Sequence, residues 1–150
     1  MRVINGIDEI KQMAGQEIGV GSWTLIDQDR VNRFAEVTGD DQWIHTDPER
    51  AKASPFGGTI VHGYLTLSLL PALMAEIVRF DGFRAVINYG LERVRFAAPV
   101  PVGSRIRVRI GIKSVGRAPG GVRTAFEATM ELEGSTKPAA VIEPIVLFLG

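Results

Sequence analysis

The chain has no cysteine, only two histidines and no net charge, and each shortage excludes a class of function. Without cysteine there is neither a disulfide framework nor a thiol nucleophile, and two histidines cannot complete a zinc site unless carboxylates join them. The 17 basic and 17 acidic side chains balance one another, which argues against broad binding to nucleic acid or to an anionic membrane. We therefore expect no nucleic-acid partner and no membrane partner.

The sequence also lacks any long, uninterrupted apolar run. The longest one, residues 59–74, contains His62 and Pro71 and falls short of the about 18 clean apolar residues that suggest a membrane helix. The first 15 residues contain no apolar core of the kind found in secretory signals. We expect a soluble, cytoplasmic protein, and a length of 150 residues predicts one domain, 1–150, with one core.

Alternation of apolar and polar residues predicts strands in the second half of the chain. Every even position in 105–112 is Ile or Val, and five of six even positions in 122–133 are apolar. Such alternation indicates antiparallel strands with one buried face, and GRAPGG (116–121) between them predicts the turn. Further strands are expected at 139–149, whose nearly continuous apolar sequence suggests an interior position, and near 84–96.

The first half predicts mainly helices. A short helix is expected near 7–13 and a strand at 22–26, and Asp27 is placed to cap a helix that begins at the next residue. The predicted buried stripe of that helix comprises Val31, Phe34, Ala35 and Thr38. Asp47 followed by Pro48 predicts another helix start, because Asp caps helices and Pro suits the first helical position.

One long helix is predicted from Gly63 to about Phe80. Apolar residues cover nearly all of its sides as far as Glu76, so we expect other elements to surround it. Together the patterns predict an α+β fold in which a curved antiparallel β-sheet wraps around a long central α-helix.

Three motifs follow one another in the middle of the chain. They are GDDQWIH (39–45), with Phe34 upstream, GGTIVHGYLTLSLL (57–70) and NYGLERVRFAAPVPVG (88–103). In this order they resemble the MaoC-like (R)-specific enoyl-CoA hydratases, whose signature is Gly-Asp, Asn-Pro, an aliphatic residue and His. This chain departs from that signature with Gln42 and Trp43, and it has Pro71 where some members carry a serine. The resemblance implies the hot-dog fold.

Asp40 and His45 are the first candidate catalytic residues. The pattern alone allows a turn aspartate after Gly39 and a half-buried histidine. It also allows a pair that shares one water, since a carboxylate accepts hydrogen bonds and a neutral imidazole both accepts and donates. Imidazole suits proton exchange at neutral pH because its ordinary pKa is about 6.5. The resemblance assigns the catalytic dyad to Asp40 and His45.

Gly63 is the second candidate, through its backbone N–H. Unpaired N–H groups at a helix start can donate to a thioester oxygen as negative charge develops on it, whereas a glycine there can also simply permit a tight helix start. The resemblance favours the oxyanion role. His62 is interpreted as a satisfied structural histidine, Asp41 as a solvated turn carboxylate and Asp47 as a helix cap.

The remaining candidates have packing explanations that are equally good. Gln42, Tyr64, Ser68 and Asn88 are candidates to line the acyl pocket or to hold the water. Arg105, Arg107 and Arg109 form a strand face expected to pair with Glu127 and Glu131, with contact to the phosphates of coenzyme A as the alternative.

The resemblance implies a hydro-lyase that adds water to trans-2-enoyl-CoA and forms (R)-3-hydroxyacyl-CoA. It implies no metal and no redox cofactor, with coenzyme A present only as part of the acyl-CoA substrate, and a homodimer with the substrate near the interface. Two alternatives stay open: a hot-dog acyl-CoA thioesterase, and a non-catalytic acyl-CoA-binding subunit of the same fold.

Overall fold

The computed structural model describes residues 1–150. The helices are α1 (Gly6–Gln12), α2 (Gln28–Thr38), α3 (Trp43–Thr46), α4 (Pro48–Lys52), α5 (Gly63–Ser68) and α6 (Leu70–Ala75). The strands are β1 (Arg2–Asn5), β2 (Gln16–Val20), β3 (Thr24–Leu25), β4 (Val78–Asp81), β5 (Ala85–Arg95), β6 (Arg105–Ala118), β7 (Gly121–Leu132) and β8 (Ala140–Leu149). None of the helices combines the length and the apolar character needed to cross a membrane.

The main sheet is antiparallel, with strands in the order β2-β6-β7-β8-β5, and β3 pairs beside β2 on β6. The predicted interior position of the last strand is confirmed, because β8 pairs with β7 on one side and with β5 on the other. β5 pairs with β8 alone and is therefore an edge strand. A separate two-stranded parallel sheet joins β1 to β4, two strands that the alternation did not predict.

The alternation predicted for β6 and β7 sets the inner face of the sheet. Ile106, Val108, Ile110 and Ile112 are at most 1% exposed, while the arginines between them face outward. Leu65, Leu70 and Leu73 of α5 and α6 join them in one hydrophobic core. Burial of each such side chain is worth about 1.5–3 kcal/mol, so the sheet closes on the two helices.

The predicted long helix at 63–80 is wrong in length and in environment. It is divided at Leu69, and the second part ends at Ala75, after which β4 begins at Val78. Pro71 has no N–H to donate to the preceding turn, which interrupts the helical ladder. β4 forms a strand because β1 pairs with it. The first contact between the two segments is the hydrogen bond from the Arg2 N–H to Ile77 O, over 2.7 Å.

The helices are also not surrounded on every side. Tyr64, Ser68, Pro71 and Ala72 are exposed on α5 and α6, so the two helices pack against the sheet with one face and present the other outward. The curved antiparallel sheet with helices on its inner face confirms the α+β prediction.

The β6–β7 turn is tighter than predicted. Pairing extends to Ala118 and Gly121, so only Pro119 and Gly120 form the turn, with φ of 75° at Gly120. The pairing of neighbouring strands continues beyond the residues that alternate, since backbone hydrogen bonds do not depend on side-chain polarity.

The predicted helix starts after Asp27 and Asp47 are confirmed, but one residue of the predicted buried stripe of α2 is exposed. Asp27 accepts a hydrogen bond from the Arg30 N–H over 2.9 Å, and Asp47 accepts one from the Arg50 N–H over 3.1 Å. Val31 and Ala35 of α2 are buried, but Thr38 is exposed because it lies at the last position of the helix, beyond the core. The strand expected at 22–26 pairs only at Thr24–Leu25.

Candidate active site

His45 is held on the short helix α3 by contacts at both its backbone and its ring. The residue is 7% exposed, and its ring Nδ1 lies 2.6 Å from the Ile60 carbonyl oxygen. The Ile60 N–H in turn donates to Ile44 O over 2.9 Å, so two hydrogen bonds join α3 to the segment before α5. Because a carbonyl oxygen only accepts, Nδ1 carries the hydrogen, and Nε2 remains as the acceptor of the neutral ring.

Gln28 connects α2 to the same two segments. Its Nε2 donates to the His45 carbonyl oxygen over 2.7 Å, and its Oε1 accepts from the Thr59 hydroxyl over 2.6 Å. Gln28 and Thr59 are contacts of the site that were not among the residues predicted from the sequence. Gln28 lies 17 positions from His45 and 31 from Thr59, so no local pattern indicated the contact.

Burial lowers the pKa of His45 below its ordinary value of 6.5. The hydrogen bond to Ile60 opposes this shift, the nearby His62 adds to it, and the charge of Asp40 opposes it. Desolvation is the largest of these effects, because removal from water penalises the charged ring. Burial therefore favours the neutral ring of His45, the form that can take a proton.

The second histidine lies directly on the first. The His45 and His62 rings are stacked with centroids 3.9 Å apart and an interplanar angle of 24°. His62 is 1% exposed, and its Nε2 lies 2.8 Å from the main-chain carbonyl oxygen of Asp40. From the sequence, His62 is interpreted as a satisfied structural histidine. It is buried, but only one of its ring nitrogens has a hydrogen-bond partner, because Nδ1 is buried without one.

The structure brings Asp40, His45 and His62 together. One polar atom from each of the three side chains lies within 4.8 Å of the others, with Asp40 exposed and the histidines buried. Two groups that each bind one water over about 2.8 Å are at most about 5.6 Å apart, so this spacing suits a shared water. Asp41, by contrast, is exposed and its carboxylate makes no hydrogen bond, as its interpretation as a solvated turn residue requires.

The same three side chains are poorly arranged for a metal ion. Nδ1 of His45 and Nε2 of His62 are already occupied by carbonyl oxygens. The stacked rings carry their remaining lone pairs in nearly parallel planes, whereas ligands at about 2.1 Å from one ion must converge on it.

Gly63 begins α5 directly after His62. The N–H of a first helical residue has no partner within its helix and remains available as a donor. A Cβ at this position would lie 3.0 Å from carbons of the Phe96 ring, so the missing side chain makes room for Phe96. The glycine therefore has a packing role in addition to the backbone donor that it presents.

The four pocket candidates are largely exposed. Gln42 is exposed and precedes α3, and Tyr64 is 69% exposed with its ring 6.3 Å from that of Phe96. The Ser68 hydroxyl donates to Tyr64 O over 2.6 Å. Asn88 is exposed on β5 opposite Val146.

The arginine face of β6 is paired with glutamates. Arg107 and Arg109 contact Glu131 over 2.6 Å and 3.0 Å, and Arg105 lies 3.9 Å from Glu133. The prediction is confirmed for Glu131 and wrong for Glu127, which lies opposite Gly111 in the strand register and has no ion pair. The hydrogen bond from Arg107 is the main cause of the lowered pKa of Glu131, and Arg109 adds to it. Arg109 also contacts Glu17 over 3.0 Å, so the three arginines face three carboxylates and the structure favours the solvated strand face over the phosphate alternative.

Comparison with known proteins places these features in a family. The sequence profile of the MaoC like domain matches residues 9–132. The 3-hydroxyacyl-thioester dehydratase Z of Mycobacterium tuberculosis is 47% identical over 152 residues, covering 99% of this chain and 99% of that protein.

Two solved structures share the architecture. A monoamine oxidase regulatory protein from Archaeoglobus superposes with a TM-score of 0.79 at 21% identity, covering 99% of this chain and 97% of that chain. The (R)-hydratase from A. caviae superposes with a TM-score of 0.70 at 24% identity, covering 88% of this chain and 96% of that chain. These likenesses confirm the hot-dog fold.

Proposed function

Because the chain belongs to the MaoC-like dehydratase family, we propose that it interconverts trans-2-enoyl and (R)-3-hydroxyacyl thioesters of coenzyme A by adding or removing water. The observation that carries this proposal is the grouping of the Asp40 carboxylate and the His45 ring within 4.8 Å, with His45 neutral and one ring nitrogen free. The relative of 47% identity is named for dehydration of a 3-hydroxyacyl thioester, the reverse of the same reaction.

In the hydration direction, Asp40 and His45 hold one water against C3 of the substrate. Nε2 of His45 takes a proton from this water as its oxygen bonds to C3, and C2 receives a proton from the dyad. The electron pair of the alkene moves through C2 to the thioester oxygen and returns when C2 is protonated. No metal and no redox cofactor take part in this scheme.

The Gly63 N–H stabilises the charge on the thioester oxygen in this proposal. One such donor typically contributes about 3 kcal/mol to the transition state. Its place directly after His62 fixes it relative to the dyad, because the His62 ring contacts both dyad members.

We also propose that the chain acts as a homodimer joined along β5. This edge strand exposes Val86, Ile87, Tyr89 and Leu91, each between 43% and 64% exposed. An unpaired strand edge with apolar side chains favours pairing with another copy, and the resemblance implies a dimer.

The decisive experiment measures hydration of trans-2-enoyl-CoA substrates of several chain lengths, beginning with crotonyl-CoA. Asp40→Asn and His45→Gln should each lower kcat by at least about 100-fold without unfolding the protein. Asp41→Asn is the matched control, because it removes the neighbouring exposed carboxylate, and it should keep wild-type kcat.

Product analysis separates this proposal from its alternatives. Hydration removes the alkene absorbance, leaves the thioester intact and should give the (R)-3-hydroxyacyl product in chiral analysis. Release of free thiol would instead identify a thioesterase, and tight acyl-CoA binding without turnover would identify a binding subunit. Wild-type rates in both dyad variants would refute the mechanism.

A further inference from the structure

We infer that His62 is a positioning residue that holds Asp40 against His45, an inference that rests on the proposed function. Its side chain contacts both members of the dyad. Its Nε2 donates to the Asp40 carbonyl oxygen over 2.8 Å, and its ring stacks on His45 with centroids 3.9 Å apart.

Asp40 needs such a contact because little else holds it. It lies between α2 and α3, outside any helix or strand, directly after Gly39, which ends α2 with φ of 78°. Its N–H reaches only the Thr38 hydroxyl, over 3.4 Å, and its exposed carboxylate makes no hydrogen bond. A donor–acceptor distance of 2.8 Å is well within the range of a normal hydrogen bond, so the bond to His62 is the best contact that Asp40 makes.

His62 is itself fixed firmly enough to act as this support. It is 1% exposed, it precedes the first residue of α5, and its ring contacts Phe34 at a centroid distance of 4.9 Å. The same residue therefore links the main chain of Asp40, the His45 ring and the start of the helix that carries the Gly63 N–H. A shift of His62 would move these groups relative to one another.

The unpaired nitrogen of His62 argues against a role in packing alone. Nδ1 is buried and has no hydrogen-bond partner. A phenylalanine or leucine would fill a similar space without leaving a polar atom unsatisfied, so core packing does not explain the choice of histidine. The hydrogen bond from Nε2 to Asp40 does explain it, because no apolar residue supplies that donor.

The test compares two substitutions at position 62 with one control substitution elsewhere in the core. His62→Phe keeps an aromatic ring on His45 but removes the donor. His62→Gln removes the ring but carries an amide N–H group at about the reach of Nε2. Thr124→Val is the matched control, since Thr124 is also buried and polar, with a hydroxyl that has no partner, on β7.

We expect His62→Phe to lower kcat for crotonyl-CoA hydration by about 100-fold, the usual effect of a displacement of about 1 Å at a reacting group. KM should stay within about threefold of wild type, because the loss affects the reacting geometry and not substrate binding. His62→Gln should recover kcat to within about tenfold of wild type, and Thr124→Val should leave kcat unchanged.

The outcomes separate this inference from the function on which it depends. An inactive wild-type protein would refute the proposed function and this inference with it. An active wild type with full kcat in His62→Phe, or equal losses in His62→Phe and His62→Gln, would refute the inference alone. If the His62→Phe protein does not fold, His62→Leu supplies the same comparison with a smaller side chain that also lacks the donor.

Discussion

At the scale of single residues, the site depends on which nitrogen of each imidazole is occupied. His45 donates through Nδ1 to Ile60, and His62 donates through Nε2 to Asp40. The hydrogen bond to Ile60 leaves Nε2 of His45 as a free acceptor. The hydrogen bond to Asp40 leaves Nδ1 of His62 buried and without a hydrogen-bond partner. This difference underlies the two roles that we propose, proton transfer for His45 and support of Asp40 for His62.

The lowered pKa of His45 predicts the pH dependence of activity. Protonation removes the acceptor at Nε2, so kcat/KM should fall on the acid side, with a midpoint below the ordinary value of 6.5 because burial opposes the charged ring. Steady-state hydration rates from pH 4.5 to 8 measure this midpoint. Asp41→Asn should show the same midpoint as wild type, and a midpoint above 6.5 would contradict the burial argument.

Gln28 offers a second prediction at this scale. Gln28→Leu removes the hydrogen bonds to His45 O and to Thr59, which leaves a carbonyl and a hydroxyl unsatisfied. The free energy of unfolding should fall by about 1–3 kcal/mol, and kcat should fall because α3 loses its tie to α2. Urea unfolding and crotonyl-CoA kinetics measure the two effects.

A control for Gln28 is available in the same helix. Arg33→Leu removes an exposed ion pair with Asp29 over 2.9 Å on α2. It should change neither the free energy of unfolding nor kcat appreciably. A Gln28→Leu protein with unchanged kcat would show that the dyad does not need this contact.

At the scale of secondary-structure elements, α4 begins three residues after His45, and its cap Asp47 can be tested separately from the dyad. Asp47→Ala removes the acceptor for the Arg50 N–H and should lower the free energy of unfolding by about 1 kcal/mol. The kcat for hydration should not change, because this side chain bonds to its own helix. Asp47→Ser retains a capping oxygen and should restore most of the stability, whereas a tenfold loss of kcat in Asp47→Ala would place Asp47 in the chemistry.

The elements that the sequence predicted correctly are those whose signals are local. Alternation in β6 and β7, and the caps Asp27 and Asp47, depend on residues a few positions apart. The predicted helix at 63–80 failed because its apolar pattern suits a buried strand as well as a buried helix. The choice of a strand at β4 depends on β1, more than 70 positions away.

The candidate site also contains residues that local motifs indicate and residues that only the fold brings together. Asp40, His45 and Gly63 belong to contiguous motifs, and the resemblance of those motifs to a family made them candidates. The support from Gln28 and Thr59, and the contact of His62 with Asp40, arise only when α2, α3 and the start of α5 meet in the fold. Hydrogen bonds across 17 to 31 positions leave no periodicity in the sequence.

At the scale of the whole molecule, the exposed edge strand β5 predicts the oligomeric state. Sedimentation velocity should show a particle of twice the 16.3 kDa chain mass. Tyr89→Arg places a charge among the exposed apolar side chains of β5 and should shift the protein toward the monomer. Val37→Arg, at a side chain 86% exposed on α2, is the control and should remain dimeric, while a wild-type monomer would contradict the proposal.

The chain contains only two histidines, and both lie in the candidate site. A protein labelled with ¹⁵N in histidine alone should therefore give imidazole NMR signals that all come from this site, without background from the rest of the molecule. One ring should show the Nδ1–H pattern and the other the Nε2–H pattern, as their carbonyl partners require. The protein thus carries a spectroscopic reporter in which substrate binding, proton transfer and loss of the Asp40 contact can each be followed separately.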